Sequence, residues 1–505
     1  MADEKRMSAS VPLESPLSVV QEGSASMFAN ESAQISGVDS GEKASVDLNK
    51  KVRRYWNAPV LRQLWGMEQK VDKVAWFELF YDLIYVALAI NLSAFLKKHT
   101  DVEGVATAAL YFLQLFCAWN ALTMYESRFF SRDVFGTALK FLYSTAVLFM
   151  NVFVLDGLKS RLQFSLAAAA YRVCLLMMYI QVYFLVPRAR AFAKVAIAGN
   201  IAEVFLFVGA AFMPKVATAV TWIVASLLVP QLWVSYIYRH TQTSIPINVE
   251  HIAERYGLFI MLMHGETIIA IGTDTSVTNS DEFGIIFWGF LIVFCLHNIY
   301  YGSLPKEPEN HALRRSGVAG RAFIYLHIVL GFALVAVGTA LSELKKGVSS
   351  GKDKKNGFRL LGFSIALFMV SVNAIRLTHN FKVRSPTVWL FRAVLIAIII
   401  TLPFSAGEQP PQRVALIYAV FMVLLVNIET VKTADEYEEG EAALNKLPIP
   451  PKEMKIEQMK SITPDKQTFR MKSKDSQGGT VYIAPPLKRQ DANSSMRIRH
   501  DHASI

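Results

Sequence analysis

Two acidic residues lie one helical turn apart in the first strongly apolar run of the sequence. Glu78 and Asp82 belong to a segment that begins at Trp76 and stays mostly apolar as far as Leu96. A run of this length is long enough to cross a bilayer as a helix. A carboxylate at membrane depth is costly unless it faces the protein interior, pairs with a cation or holds a proton. We therefore treat both residues as candidate members of a proton or ion pathway.

A second apolar run, in the middle of the chain, carries a similar group of ionisable residues. His251, Glu254 and Arg255 enter this run, and His264 and Glu266 follow further along it. Arg255 and Glu266 are eleven positions apart, which places them on one face of a helix. His251 and Glu254 lie at the N-terminal end of that face.

Arg172 lies near the middle of the fourth apolar run. Because a guanidinium does not lose its proton in a protein, it needs a carboxylate partner at this depth. We predict that Asp82 or Glu266 supplies the counter-ion. Glu203 in the fifth run and His327 in the ninth are possible extensions of the same pathway.

Metal binding and covalent catalysis are less well supported. His251 and Glu254, or His264 and Glu266, offer imidazole and carboxylate groups, but two residues that are two positions apart diverge on a helix. The sequence contains no Gly-x-Ser-x-Gly motif, and the loops are too short for a soluble catalytic domain. We therefore predict no metal site and no cofactor, and an enzyme is the less favoured class.

Helical periodicity indicates which way the candidate residues face. On the first helix, one narrow stripe is predicted to face protein, and it contains Glu78, Asp82, Tyr85, Ala89 and Ser93.

The composition is that of a polytopic helical membrane protein. Of 505 residues, 53% are hydrophobic and only 18% are charged. The net charge of +11 comes from Lys and Arg in short connections between apolar runs, which favours a positive-inside bias over nucleic-acid binding. The three cysteines fall inside apolar runs, so we predict buried thiols and no disulfide.

The sequence predicts an all-α transmembrane bundle of about twelve spans with both termini in the cytoplasm. Lys345 and its neighbours disagree with this orientation because they would lie outside. The predicted spans are 75–96, 104–125, 134–156, 162–186, 191–213, 216–238, 253–273, 284–302, 321–342, 358–378, 388–405 and 412–430.

Composition shifts divide the chain further. The bundle is interpreted as two six-helix halves, because glutamates and bounding prolines recur at similar places in each. A polar N-terminal stretch without an apolar core predicts no cleaved signal peptide. The predicted segments are a disordered tail (1–50), a basic amphipathic lead-in (51–74), the two membrane halves (75–238 and 239–430) and a second disordered tail (431–505).

Two motifs resemble a known family. Glu78-Leu-Phe-Tyr-Asp-Leu-Ile-Tyr-Val86 resembles the Glu-Leu-Phe-Phe-Asp-Leu-Val-Phe-Val signature of the bacterial low temperature requirement A family. Glu254-Arg-Tyr-Gly-Leu-Phe259, followed by Gly265-Glu266, is similar to a second element of that family. The resemblance covers about residues 70–430 and implies an integral membrane protein. Tyr81 and His264 depart from the family pattern.

Our leading functional hypothesis is a proton-coupled secondary transporter that is embedded in the lipid bilayer and has a small solute or a proton as its partner. Asp82 and Glu266 would bind a proton or cation, Arg172 would supply the counter-charge, and Glu78, Glu254 and Arg255 would form gate pairs. The alternatives are an intramembrane enzyme or a lipid-handling protein, and a non-transporting membrane organiser whose ion network is purely structural. The plasma membrane and an internal membrane fit equally well.

Overall fold

The computed structural model describes residues 55–64, 74–240, 244–273, 279–305, 308–350, 355–379, 386–405, 409–445, 472–474 and 480–482. These residues are almost entirely α-helical, as predicted.

The first predicted half contains seven helices. They are α1 (Trp76–Lys98), α2 (Val102–Glu126), α3 (Val134–Val152), α4 (Arg161–Leu185), α5 (Arg190–Ala211), α6 (Lys215–Ile223) and α7 (Val229–Arg239). A π-helical turn, Val224–Leu228, joins α6 to α7. Pro230 explains this π-helical turn. It has no N–H to donate to the carbonyl four residues earlier, so the wider turn accommodates the missing hydrogen bond.

The described residues from 244 to 445 contain seven more helices. They are α8 (Val249–Gly272), α9 (Ser280–Tyr301), α10 (Ala312–Arg315), α11 (Gly317–Ser350), α12 (Lys355–Thr378), α13 (Pro386–Ser405) and α14 (Pro411–Asn445). Prolines open α13 and α14, where a missing N–H costs nothing.

The apolar helices confirm an integral, multi-pass membrane protein. In the described part of the chain, nine helical stretches are long and apolar enough to cross a membrane. One of them, Val134–Leu185, contains both α3 and α4. These helices are separated by a 3-10 segment, Phe153–Ser160, in which Gly157 has a φ of 57°. Only glycine adopts that angle readily, so this residue lets the chain turn between two helices. The count of twelve spans remains a prediction.

Helices α1, α8 and α11 meet in the centre of the bundle. The Thr339 hydroxyl on α11 donates to Ser93 on α1 at 3.0 Å. The Thr267 hydroxyl on α8 donates to the carbonyl of Leu334 on α11, also at 3.0 Å. At Gly338, an added Cβ would lie only 2.9 Å from the α-carbon of Thr267. The two helices can therefore approach this closely only because position 338 lacks a side chain.

The predicted lead-in is only partly described. Val60–Leu61 forms a short strand, β1, that pairs antiparallel with β2 at Phe129–Phe130. The described residues divide into two compact units, and both strands belong to the larger, which contains Ala58–Phe130 and the chain from Ala138. In the smaller unit, the backbone N–H of Asn57 donates to Asp133 at 3.2 Å.

Lys345, which the predicted orientation places outside, is bound to the end of a helix. Its side chain is 1% exposed, and its ammonium donates to the backbone carbonyls of Ile271 and Thr273 at the end of α8. A cation in this position neutralises the negative end of the helix dipole.

The chain continues as a helix beyond the predicted last span. Helix α14 extends to Asn445, where we expected the second tail to begin after residue 430. The residues that follow include Ala, Glu and Lys, which favour helix, and proline first appears at Pro448. Two short strands, Lys472–Lys474 (β3) and Thr480–Tyr482 (β4), pair further on. The predicted N-terminal tail (1–50) lies outside the described residues.

Candidate functional site

Glu78 is held at the start of α1 by three groups. Its carboxylate accepts the backbone N–H of Ala75 at 2.9 Å, which caps the helix. It also accepts from the Arg62 guanidinium at 3.2 Å and contacts His251 Nε2 of α8 at 3.0 Å. With 4% of the residue exposed, this carboxylate is buried and fully engaged.

Asp82, one turn along α1, makes a bidentate pair with Arg255 of α8. The two guanidinium–carboxylate distances are 2.5 and 2.7 Å. The indole N–H of Trp119 on α2 donates to the same carboxylate at 2.9 Å. The guanidinium carbon also lies 5.4 Å from the centre of the Trp119 ring. A fork-to-fork arrangement of this kind is the strongest form of Arg–carboxylate contact.

The two pairs form a ladder between α1 and α8. Glu78 and Asp82 are four residues apart on one helix, and His251 and Arg255 are four residues apart on the other, so equivalent faces meet. We call these contacts the α1–α8 ladder. It joins the two predicted halves. The predicted stripe on α1 is confirmed, since all five of its members are buried.

The predicted gate pairing is different from the observed one. Arg255 pairs with Asp82, whereas Glu254 is exposed on the other side of α8. One residue rotates a helix by about 100°, so adjacent residues cannot share a face. Glu266 is buried three turns beyond Arg255, as its periodicity predicts.

Arg172 pairs with Glu203, not with Asp82 or Glu266. The distance from Nη1 to Oε2 is 2.6 Å, and both side chains are buried. The predicted partners were wrong because α4 packs against α5, which carries Glu203, while Asp82 is already bound by Arg255. The sequence analysis named Glu203 as a possible extension of the pathway, but it did not predict that Glu203 is the partner of Arg172.

The buried imidazoles of His327 and His264 make local hydrogen bonds. His327 contacts the Tyr300 hydroxyl at 3.0 Å and the carbonyl of Phe323 at 2.7 Å. His264 contacts the carbonyl one turn earlier at 2.9 Å. Neither belongs to the α1–α8 ladder. Within the described residues, no three His, Cys, Asp or Glu side chains converge as metal ligands.

Two further ion clusters were missed by sequence reasoning. Glu126 at the end of α2 pairs with Lys140 of α3 at 2.7 Å, close to Arg62. Glu429 of α14 accepts from Arg376 and Arg392. These residues lie near the ends of apolar runs, where charges are normally attributed to flanking loops. A search for opposite charges at the same predicted membrane depth on neighbouring helices could have found them.

A pair of histidines lies outside the spans. The His311 and His379 rings are 4.8 Å apart. Each accepts a backbone N–H through Nδ1, from Leu313 and Ala312 respectively. Burial lowers the pKa of His311 to about 4 and that of His379 to about 3. Both rings are therefore neutral at physiological pH.

A cavity of about 100 Å³ lies beside the Arg172–Glu203 pair. Its walls come from α2, α4, the π turn, α7 and α11. The π turn contributes Ser226, whose hydroxyl donates to Gln114 at 2.6 Å. Trp233 of α7 lines the cavity and packs against Gly199, one turn before Glu203 on α5. This is a solute-sized space in contact with a buried ion pair.

The family model described as bacterial low temperature requirement A protein (LtrA) matches residues 73–427. That range covers more than half of the chain. The chain belongs to the LtrA family. It is also similar to an uncharacterized protein of Rhizobium meliloti, with 26% identity over 302 residues, or 55% of this chain and 72% of the relative.

The two LtrA motifs supply most of the α1–α8 ladder. The first motif contributes Glu78 and Asp82, and the second contributes Arg255. The resemblance seen in the sequence therefore corresponds to one three-dimensional contact. The matched range also contains Arg172 and Glu203.

Proposed function

We propose that this LtrA protein is a proton-coupled secondary transporter of a small solute. The observation that supports the proposal best is the cavity of about 100 Å³ beside the Arg172–Glu203 ion pair. Ionisable side chains inside a helical bundle commonly mark ion or solute pathways. Binding sites in transporters also tend to lie near the bilayer midplane, and Arg172 lies near the middle of α4.

In this mechanism Glu203 carries the proton. The Glu203 carboxylate, which is paired with Arg172, can be protonated when a solute draws the guanidinium away, because the neutral acid no longer needs a counter-charge. Asp82 is less suited to that role, since three N–H groups of Arg255 and Trp119 already hold it. We assign the α1–α8 ladder to the contact between the two halves. This contact must rearrange when the binding site opens first to one side of the membrane and then to the other. Glu266 remains a candidate for a second proton-binding position.

The experiment is proton flux in vesicles that contain the purified full-length protein and a pH-sensitive dye. Inward gradients of carboxylates, amino acids, sugars and monovalent cations are applied in turn. We expect one class to drive proton movement. Glu203→Gln fixes the neutral state and should abolish the coupled movement. Glu254→Gln, the same substitution at an exposed glutamate of α8, should leave it unchanged.

A second candidate is a membrane organiser with a structural ion network. The bidentate Asp82–Arg255 pair supports it, because a buried bidentate pair can fix helix register without moving. Wild-type vesicles that show no solute-driven proton flux with any of the four classes would favour this candidate. Coupled flux that persists in Glu203→Gln would contradict the assigned role of Glu203.

A further inference from the structure

The arginines of the cavity wall are already engaged. Arg172 lines the cavity and pairs with Glu203. Arg128 lines it too and donates to the carbonyl of Met124 at 2.8 Å. Arg321, the third arginine of the wall, also has an interaction in the structure. None of the described residues that line the cavity is an aspartate or glutamate. The described wall therefore suits an uncharged ligand, because a buried ion needs a charged partner.

Tyr179 places an unpaired hydroxyl in this wall. It lies on the face of α4 that also carries Arg172 and Leu175, and 2% of the residue is exposed. Its ring packs against that of Tyr125, with 5.4 Å between the ring centres. Among the described residues, none makes a hydrogen bond to the Tyr179 hydroxyl. A buried hydroxyl without a partner costs free energy, so a ligand that hydrogen-bonds to it gains affinity.

Asn120 presents a second polar group to the cavity. Its oxygen accepts the Tyr256 hydroxyl at 2.7 Å, so its amide N–H groups are the ones that can donate to a ligand. Tyr125, against which Tyr179 packs, is five residues further along α2, which corresponds to about 7.5 Å. Asn120 and Tyr179 therefore lie at different depths. A ligand that reaches both needs a polar group at each end.

Two further hydroxyl oxygens of the wall are acceptors. Ser226 donates to Gln114 at 2.6 Å and Tyr325 donates to Gln231 at 3.1 Å, so each oxygen keeps lone pairs for a ligand. The wall thus combines donors with acceptors. A ligand hydroxyl both donates and accepts, whereas an ammonium group only donates and a carboxylate only accepts. Apolar side chains complete the wall, among them Phe116, Leu175, Ile324 and Ile328.

Size sets an upper limit on the ligand. The cavity volume is about 100 Å³. A dry engineered cavity of about 150 Å³ is known to hold benzene, which has six non-hydrogen atoms. The present space therefore suits a ligand of about four to six such atoms.

We propose that the cavity binds a small uncharged polyhydroxy compound, a three-carbon sugar or the corresponding polyol, and that this is the solute transported together with a proton. The identity of the transported solute rests on the proposed transport function, whereas binding in the cavity does not. Tyr179 and Asn120 bind hydroxyl groups at opposite ends of the ligand. A ligand oxygen accepts from Arg172 when Glu203 takes up the proton. Because the solute is uncharged, each transported proton moves one positive charge across the membrane.

Ligand-detected NMR tests the site without requiring transport. Saturation-transfer difference spectra are recorded for glycerol with the purified full-length protein in deuterated detergent, and propionate and propionamide serve as comparisons of similar size. We expect glycerol to bind at least about tenfold more tightly than propionate, because a carboxylate has no unengaged cation to pair with in the described wall. Propionate binding equal to that of glycerol would overturn the choice of an uncharged ligand. Propionamide binding tighter than that of glycerol would overturn the polyhydroxy class.

Tyr179→Phe removes only the unpaired hydroxyl. The phenylalanine keeps the ring contact with Tyr125, so the variant should fold, and its affinity for glycerol should fall about threefold to tenfold, the effect of one neutral hydrogen bond. Tyr183→Phe is the matched control, because Tyr183 lies one turn further along α4 and does not line the cavity. It should bind glycerol normally. Unchanged glycerol affinity in Tyr179→Phe would overturn the assignment of Tyr179.

A steric variant tests whether the ligand occupies this cavity. Ala121 lines it, and Ala121→Leu should weaken glycerol binding at least about tenfold, because the added side chain fills space that the ligand needs. Ala106→Leu, at an exposed position of the same helix, should bind glycerol normally. Normal glycerol binding by folded Ala121→Leu would place the ligand elsewhere and overturn the proposal.

Binding and flux together separate the two proposals. Glycerol binding that depends on Tyr179, without vesicle proton flux for any solute, supports the site and contradicts transport. Proton-coupled flux of another solute, with no glycerol binding, supports transport and overturns the polyhydroxy inference. Proton flux driven by glycerol or dihydroxyacetone should be faster under an inside-negative membrane potential. A flux that this potential leaves unchanged would contradict the movement of net charge.

Discussion

The contribution of the Arg172–Glu203 pair to stability can be measured by a double-mutant cycle. The two charged atoms are 2.6 Å apart and both side chains are buried. At an effective dielectric constant of about 20, their attraction is about 6 kcal/mol before desolvation is counted. Desolvation offsets much of this attraction, but removal of one partner leaves an uncompensated buried charge. The expected loss for Arg172→Leu is therefore about 3–5 kcal/mol of unfolding free energy.

The cycle compares Arg172→Leu, Glu203→Gln and the double variant. Unfolding of the purified protein in mixed micelles gives the free energies. We expect the double variant to be more stable than Arg172→Leu, with a coupling energy of at least about 1.5 kcal/mol. Arg188→Leu, at an exposed site, should change stability by less than about 0.5 kcal/mol.

A different partner would give a different result. Asp82→Asn combined with Arg172→Leu should show no rescue, because Asp82 is bound by Arg255. The pairing would be refuted if Asp82→Asn restored stability to the Arg172 variant and Glu203→Gln did not.

Three further outcomes are expected. Trp119→Phe removes one hydrogen bond to the Asp82 carboxylate and should lower the free energy of unfolding in micelles by about 1.5–3 kcal/mol. His311 and His379 have lowered pKa values in the folded state. As pH falls below 6.5, the unfolded chain therefore takes up protons on these histidines that the folded protein does not, and the folded protein loses stability. Stability should be constant above pH 7 and fall by about 1.4 kcal/mol per histidine at pH 5.5, and a flat stability profile over this range would contradict burial of the neutral rings. Gly338→Ala should destabilise the protein by about 1–3 kcal/mol because its Cβ has no room, whereas Gly265→Ala, which meets nothing within 4 Å, should be neutral or stabilising.

Periodicity was sufficient to predict which side chains are buried on a single helix. On α1, the acidic residues fall in the predicted stripe and are buried, whereas Phe80 and Leu83 on the opposite side are exposed. The helical class and the positions of the helices also follow from the apolar runs, because each run must satisfy its backbone internally.

Partner choice could not be predicted in the same way. Arg172 needed a carboxylate, but the spacing of residues within α4 contains no information on which helix packs against it. Glu429 was overlooked because it lies near the predicted end of the last span, where it resembles a flanking charge. Both cases depend on contacts between side chains on different helices, which only the packed bundle defines.

The π turn at Val224–Leu228 places a one-residue insertion within the cavity wall. Deletion of one residue in this turn would return the helix to α register and rotate every later side chain by about 100°. Gln231 and Trp233 would then leave the wall, and other residues of α7 would replace them. Helix α6, which precedes the turn, would keep its packing. Solute selectivity in relatives could thus diverge through a change in chain length, while every arginine of the cavity stays in place.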